Sequence, residues 1–399
     1  MNAPLASAHE SVFAGLRSQP SDPLLALIDL HRADPRNGKI DLGVGVYRDD
    51  DGATPVMAAV KAAEAQLHST QPTKAYLGAA GDEAFVDRLA PIVFGAARAA
   101  SDRLVGMQTA GGTGALRLGA DLIARARPAA RVWIGAPTWP NHAPIFHAAG
   151  LAIEPHPYFD ATTGTVDFDA MLTSLAAARP GDVLLLHGCC HNPTGADLSR
   201  EQWDIVATVC VGAGLVPFID LAYQGLGDGL DVDAAGCRRL VATVPEALIA
   251  YSCDKNFGLY RERVGALWAL APTASTAAVV RDNMLTLARA VWSMPPDHGA
   301  AVVRLILEDD DLAALWRSEL EAMRHRLTSL RQSLAWSHPR LEPIRHQRGL
   351  FSMLSISRDA VATLREQHGI YMADSGRINI AGLRQDTIGH LVEALSATL

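Results

Sequence analysis

Lys255 stands in the run Tyr251-Ser-Cys-Asp-Lys-Asn-Phe-Gly-Leu-Tyr-Arg-Glu-Arg263, directly after an apolar stretch. A lysine carried by a strand into a dry site loses part of its ammonium pKa, and the free amine can form a Schiff base with an aldehyde. By itself such a lysine is more often a surface cation. A second apolar run, Pro217-Phe-Ile-Asp-Leu-Ala-Tyr-Gln-Gly225, delivers Asp220 to a buried position with Tyr223 close behind. A carboxylate so placed needs a cationic or hydrogen-bonding partner. A third run, Thr109-Ala-Gly-Gly-Thr-Gly-Ala-Leu-Arg117, reads as a glycine-rich turn opening a helix. Free N–H groups and the helix dipole at such a turn suit a phosphate. It lacks the Gly-Lys-Ser/Thr ending of a nucleotide-triphosphate loop and the glycine spacing of a dinucleotide fingerprint, so alone it is also an ordinary tight turn.

Two further motifs carry aromatic and amide groups. Trp139, in Pro137-Thr-Trp-Pro-Asn-His142, could cover one face of a flat ring, although a tryptophan is more often core. His187-Gly-Cys-Cys-His-Asn-Pro-Thr-Gly195 invites a zinc reading. Adjacent residues at a strand end point to opposite sides and the Cys-x₂₋₄-Cys spacing is absent, so no metal is expected and Asn192 is the residue of interest.

These residues need elements to bring them together. From about Pro55 to Glu308, short β-rich runs alternate with amphipathic helical stretches, the pattern of a mostly parallel sheet covered by helices. Strands are expected at Arg131 to Ile134, Val183 to His187, Val216 to Ile219, Leu248 to Ser252 and Val264 to Trp268. In such α/β sheets ligands bind beyond the carboxyl ends of the strands, where nearly all of the motifs fall. A long charged helix, Asp311 to Ser337, leads into a C-terminal segment of different character, Leu341 to Leu399, that forms a second small domain. Asp22-Pro23 caps a helix over Leu24 to Arg32, and Ile40 to Tyr47 reads as a strand with a glycine-rich turn.

At 399 residues the chain suits two domains around one site. A net charge of −8, 20% charged residues and no Lys/Arg cluster argue against nucleic acid and anionic membranes, leaving a small-molecule substrate. No apolar stretch reaches the length of about 18 needed to span a bilayer, and the N-terminal residues lack a signal-peptide pattern. The five cysteines, unevenly spaced, do not form a disulfide framework. The expected location is cytoplasmic.

Taken in order, Gly-Gly-Thr-Gly, Trp-Pro-Asn-His, His-Asn-Pro-Thr-Gly, Asp-Leu-Ala-Tyr-Gln-Gly, Ser-x-x-Lys-Asn-Phe-Gly-Leu-Tyr-x-Glu-Arg and Ser375-Gly-Arg-Ile-Asn-Ile-Ala-Gly382 resemble the aspartate/aromatic aminotransferases of fold type I. The resemblance runs from about Asp22 to the C-terminus. It implies an α/β fold with a large domain (55–315) built on a mostly parallel seven-stranded sheet that binds pyridoxal 5'-phosphate (PLP). A smaller α+β domain comes from both chain ends (21–54 and 316–399), after an N-terminal arm (1–20). By the same similarity Lys255 holds the cofactor and moves the proton, Asp220 pairs with the pyridine nitrogen, and His142 backs Asp220. Trp139 stacks on the ring, and Asn192 and Tyr223 bond its oxygen. Gly112, Thr113, Ser252 and Arg263 receive the phosphate, with Tyr76 reaching in from a second subunit of a homodimer. Arg377 clamps the substrate α-carboxylate, Arg289 of the neighbouring subunit meets a distal carboxylate, Gly45 lines the substrate site, and Phe351 and the Leu24-Leu25 region are the lid contacts.

The implied reaction is ping-pong transfer of an amino group between amino acids and 2-oxo acids. The fold also supports racemisation, decarboxylation and β-elimination, but two arginines suit transamination between acidic or aromatic partners. A cofactor-binding regulatory domain joined to a DNA-binding module is the non-enzymatic alternative, disfavoured by the acidic charge. Ala75 and Met294 stand where aspartate-selective members carry asparagine, and Trp292 where tyrosine is common. These apolar changes imply tyrosine, phenylalanine or tryptophan as donors besides aspartate and glutamate, with 2-oxoglutarate as acceptor; the alternative is an aspartate-selective enzyme. Asp254 replaces a serine common in the family and should repel a phosphate unless it is protonated, turned away, or compensated by Arg263 or Arg261.

Overall fold

The computed structural model describes residues 11–18 and 23–398, with side chains in the second stretch from residue 26 onward. The Asp22 cap and the Leu24-Leu25 side chains lie outside the described residues; the helix expected to follow them runs Pro23–Ala33.

Seven strands make the central sheet: β1 Leu104–Ala110, β2 Arg131–Ala136, β3 Ala152–Pro157, β4 Val183–His187, β5 Val216–Leu221, β6 Ala247–Ser252 and β7 Val264–Leu270. Their spatial order is β1-β7-β6-β5-β4-β2-β3. β2 to β6 pair in parallel, while β7 runs antiparallel to both of its neighbours, β1 and β6. This is the mostly parallel seven-stranded sheet expected. The expected strands at β2, β4, β5, β6 and β7 are present; β1 and β3 are additional to those expected.

Burial on both faces explains why the central strands are continuous apolar runs rather than alternating ones. Leu184, Leu186, Ile219, Ile249, Tyr251 and Trp268 enter the core on one face. Val183, Leu185, Phe218, Leu248, Ala250 and Leu267 enter the core on the other. The period-2 geometry of the strand is intact; both faces are simply dry.

The chain ends meet away from this sheet. Ile40–Asp41 pairs in parallel with Ile370–Tyr371, so the expected early strand exists but is short, and Leu42 to Tyr47 continue as irregular chain. The long helix, Asp310–Ser337, is capped by the Asp309 carboxylate, which accepts from the backbone N–H groups of Asp311 and Leu312. Its buried stripe, Trp316, Leu320, Met323, Leu327, Leu330 and Leu334, has the 3- and 4-residue spacing of one helix face.

That helix fixes two parts of the site. Trp316 stacks on Phe257 at 4.3 Å and its indole N–H donates to the Asn256 carbonyl at 2.8 Å, which anchors the residue next to Lys255. Further along the same helix, the buried Arg331 guanidinium donates to the carbonyls of Gly349 (2.6 Å) and Phe351 (3.3 Å). Burial lowers its pKa to about 10, so it remains charged at neutral pH and continues to hold the Phe351 strand. No helix of the described residues is long and apolar enough to cross a membrane.

Candidate active site

The carboxyl ends of β1, β2, β4, β5 and β6 open onto one cavity of about 330 Å³. Because β7 runs the other way, its first residues lie on the same edge, and Arg263 just before it joins the group. The antiparallel strand therefore contributes a cation that a parallel one would have placed at the far side of the sheet.

Asp220, the penultimate residue of β5, lies directly opposite His187 of β4. Its Oδ2 lies 3.0 Å from His142 Nε2. His142 Nδ1 is 2.8 Å from Thr138 Oγ1, which is 3.1 Å from His187 Nε2. With Asp220 ionised, His142 Nε2–H donates to the carboxylate, and the Thr138 hydroxyl links His142 Nδ1 to His187 Nε2. Burial pushes the Asp220 carboxyl up, but the hydrogen bond from His142 and the charges of His142, His187 and Lys255 outweigh it and leave it below its usual value. His187 is lowered to about 3 by burial and by His142. The result is a buried, ionised carboxylate bonded to one imidazole and backed, through Thr138, by a second that burial keeps neutral.

Lys255 lies above this carboxylate on the loop after β6. Burial lowers its ammonium pKa, against the opposing pull of Asp254 and Asp220. Its Nζ sits 5.3 Å from the centre of the Tyr223 ring. The Tyr223 hydroxyl accepts from Asn192 Nδ2 at 3.4 Å, which leaves the hydroxyl proton free to point into the cavity.

The glycine-rich turn forms the start of the helix Gly111–Ala126. Gly111 has φ +69, and a Cβ there would lie 2.6 Å from Arg263 Nη2; a Cβ on Gly112 would lie 3.0 Å from Ser252 Cβ. Only glycine leaves this concave wall open, so the turn is a cradle as well as a turn. Asp254, expected to repel a phosphate unless compensated, is ion-paired to Arg263 Nη1 through Oδ2 at 2.5 Å. Of the expected compensating arginines, Arg263 is the one that pairs with it.

Opposite the cradle, Arg377 is partly buried and donates to the Gly43 carbonyl at 2.9 Å. Its guanidinium lies 4.6 Å from the centre of the Phe351 ring. Its Nε has no partner, and among the described residues no carboxylate pairs with it. Burial lowers its pKa. Gly45 is confined by the same ring: a Cβ there would lie 2.9 Å from Phe351 Cζ.

The cavity thus gathers Gly112, Thr113, Trp139, Asn192, Asp220, Tyr223, Ser252, Lys255, Arg263, Gly45, Phe351 and Arg377, with His142 directly behind Asp220. It does not gather Tyr76, Arg289, Ala75 or Met294 of the same chain. Tyr76 is 93% exposed, Arg289 bonds the Ser293 hydroxyl at 2.5 Å, and Met294 Sδ accepts from Leu77 N–H at 3.1 Å. That contact joins the 72–78 and 289–294 segments on the outer surface. Thr138, His187 and Tyr260, whose hydroxyl accepts from Tyr47 N–H at 2.9 Å, complete the site without having been expected from the sequence. Thr138 and His187 lie inside recognisable motifs, but their role depends on a relay that spans three strands.

Cys189 and Cys190, expected on opposite sides of a strand end, do not point apart. The strand ends at His187, Cys190 turns to φ +51, and both sulfurs come within 4.8 Å of each other and of an Asp233 oxygen. The group contains neither histidine of the motif. The Asp233 oxygens accept the N–H groups of Gly225, Gly227 and Asp228, so this carboxylate acts as a loop cap.

Whether these residues suit PLP can be tested on what they leave unbonded. Asn192 Oδ1, Asp254 Oδ1 and Arg377 Nε are buried without partners, a cradle is kept open by glycines, and an amine of lowered pKa faces an ionised carboxylate. A dry site tolerates such groups only where a ligand completes them. The donor set fits an anionic, flat aldehyde with a basic ring nitrogen.

Residues 37–395 match the family model described as "Aminotransferase class I and II". The tyrosine aminotransferase of Rhizobium meliloti (strain 1021) is 54% identical over 94% of this chain and 96% of its own. The aspartate aminotransferase of Escherichia coli (strain K12) is 43% identical over 97% and 100%. Among solved structures, the aromatic-amino-acid aminotransferase from Burkholderia pseudomallei covalently bound to pyridoxal phosphate superposes with a TM-score of 0.95 at 38% identity, covering 98% and 100% of the two chains.

Proposed function

This chain belongs to the class I and II aminotransferase family, and from that premise we propose that it moves the amino group of tyrosine, phenylalanine or tryptophan, and also of aspartate or glutamate, to 2-oxoglutarate. The observation that carries the reading is Arg377: a partly buried guanidinium whose Nε is buried without a partner and which has no carboxylate of its own among the described residues, in one cavity with Lys255 and Asp220. Isolating such a charge costs several kcal/mol unless an anion completes it, and a substrate α-carboxylate is the anion that a planar, two-pronged donor fits.

When bound, PLP supplies the electron-accepting ring that stabilises the electron pair left on the substrate Cα. Lys255 would hold it through Nζ, with Asp220 at the ring nitrogen, Trp139 on one face, Asn192 and Tyr223 at the ring oxygen, and Gly112, Thr113, Ser252 and Arg263 at the phosphate. The ionised Asp220 keeps a proton on its partner nitrogen, because His142 already satisfies Oδ2 and stabilises the negative charge. Once freed, Lys255 Nζ would be a base of lowered pKa, placed to take a proton from the substrate Cα and to return it at the cofactor's C4' carbon. Arg377 and Phe351 would orient the substrate, with Gly45 leaving room for the Phe351 ring. In the first half-reaction the donor leaves as a 2-oxo acid; in the second, a different 2-oxo acid takes up the amino group.

Relatives named for tyrosine and for aspartate both match almost the whole chain, so overall identity does not choose the donor. The choice rests on Ala75, Met294 and Trp292, apolar where acidic substrates would need polar partners. Tyr76 and Arg289 are assigned to the cavity of a second subunit in a homodimer. The exposure of Tyr76 and the apolar surface of Val12, Phe13 and Leu16 support that assignment. The proposed domains are 55–315 and, as one unit, 21–54 with 316–399, after an arm of residues 1–20. Arg326 supports the second, since it bonds Asp49, Asp50, Ala381 and Leu383 together. The proposed location is cytoplasmic.

Initial rates with tyrosine and aspartate against 2-oxoglutarate, under one set of conditions, test the assignment. Comparable rates are expected; a large preference for aspartate selects the aspartate-selective alternative. A yellow preparation that no amino acid bleaches overturns both.

A further inference from the structure

Two carboxylates line the cavity. Asp220 is bonded to His142. Asp254 is only half satisfied: Oδ2 takes Arg263 Nη1 at 2.5 Å and faces Lys255 Nζ at 4.0 Å, while Oδ1 is buried with no partner. The residue is 4% exposed and borders the cavity beside Gly112, Thr113 and Ser252. An unbonded buried acceptor costs roughly 1–3 kcal/mol, more when charged. A ligand that completes this one must bring a donor.

The surrounding protein does not supply it. Arg263 Nη1 is shared between Asp254 Oδ2 and the Tyr260 carbonyl, and Ser252 Oγ accepts from Asp254 N–H at 3.2 Å. Burial pushes the Tyr260 hydroxyl up to about 12 and the Cys253 thiol well above its usual range, so neither adds charge near neutrality. Arg263 and Lys255 are the cations facing Asp254, and Lys255 is consumed in holding the cofactor. What remains is a neutralised Arg263–Asp254 pair and the partial positive charge of a helix N-terminus, about half a unit.

A fully ionised phosphate offers only acceptors and would set its charge against Asp254. A hydrogen phosphate offers one P–OH. We propose that Asp254 makes this subsite take the phosphate in its singly protonated form, the P–OH donating to the Asp254 carboxylate while the remaining oxygens accept from Ser252, Arg263 and the Gly112-Thr113 turn. The inference rests on the reading of the cavity as a PLP site. A free phosphomonoester has its second pKa at about 6, so binding above that pH takes up one proton from solvent.

The test is phosphorus NMR of the full chain loaded with PLP, from pH 6 to 8.5, for wild type, Asp254→Ser and Asp254→Asn. The wild-type resonance is expected at the singly protonated position throughout, and both variants at the doubly ionised position. In parallel, the ratio of the PLP dissociation constant of wild type to that of Asp254→Ser should grow up to tenfold per pH unit above about 6. Asp254→Asn retains the side-chain size and an acceptor for Arg263, so it separates charge from packing. A bound wild-type resonance at the doubly ionised position, or parallel affinity profiles, overturns the inference alone. Failure of the wild-type chain to bind the cofactor overturns it together with the proposed function.

Discussion

The sheet-edge half of the cavity and its outer rim differ in where their polar partners come from. Asp220, His142, Thr138 and His187 satisfy one another within the chain, across three strands whose register is set by dry packing on both faces. At the rim, Arg377 lacks an anion, Tyr76 is 93% exposed, and Arg289 meets a serine hydroxyl rather than a carboxylate. The inner half is organised before any ligand arrives, which is what charge stabilisation requires. The rim is incomplete by itself and takes its partners from substrate and, as proposed, from a second subunit.

Replacing residues that belong to the inner half should therefore stop the chemistry for every substrate. Lys255→Ala is the severest case: kcat should fall by at least about 10⁴-fold, the upper range for a positioned proton-transfer group. Rates with tyrosine and with aspartate should fall together. Near-normal turnover in this variant would break the comparison at its base.

Arg377→Lys tests the junction between the halves. Lysine keeps the charge but loses the planar fork, and disrupting a buried hydrogen-bonded charge pair costs about 2–5 kcal/mol. Measured kcat/KM should drop by about 30-fold to several thousand-fold for aromatic and acidic donors alike. A loss confined to one substrate class would move Arg377 from the α-carboxylate to a distal group.

Arg289→Ala should separate the classes instead. Activity with aspartate and 2-oxoglutarate should fall on the order of 100-fold, the low end for a desolvated charge pair, while the half-reaction with tyrosine changes little. Single-turnover spectra with each amino acid give the ratio directly. An equal loss in both would place Arg289 in the common machinery and remove the distinction between rim and interior.

The same division explains what could be read from sequence. Continuous apolar runs ending in a charged or hydroxyl residue announce β4, β5 and β6, because strands buried on both faces leave no other pattern. β1 is hidden by Gly106 and by the polar Gln108 and Thr109; Gly106 makes room for Trp268, since a Cβ there would lie 2.4 Å from that ring. β3 is hidden by Pro155 and Pro157, which an edge strand tolerates. Lys255 and Asp220 are legible because each sits at a strand end. The Thr138–His187 link is not, since hydrogen bonds between residues far apart in sequence leave no local spacing.

The smallest expected effect concerns the inner half alone, and reads its dryness rather than its chemistry. His187 is lowered to about 3 by burial, against about 6.5 for an exposed histidine. The unfolded chain therefore gains a proton below about pH 6.5 that the folded protein refuses until far lower pH. Such a group costs nothing above about 6.5, and its cost grows as the pH falls towards about 3. One proton changes stability by at most about 1.4 kcal/mol per pH unit, so between pH 6.5 and 5 His187 accounts for up to about 2 kcal/mol of acid destabilisation. His187→Asn removes that slope while losing one hydrogen bond to Thr138, worth about 1 kcal/mol at every pH. Melting temperatures at pH 5 and 6.5 should lie closer together in the variant than in wild type, with the variant the lower of the two at pH 6.5 and no lower than wild type at pH 5. An unchanged gap would mean that water or a proton already reaches His187, and that the strand-borne half of the site is no drier than its rim.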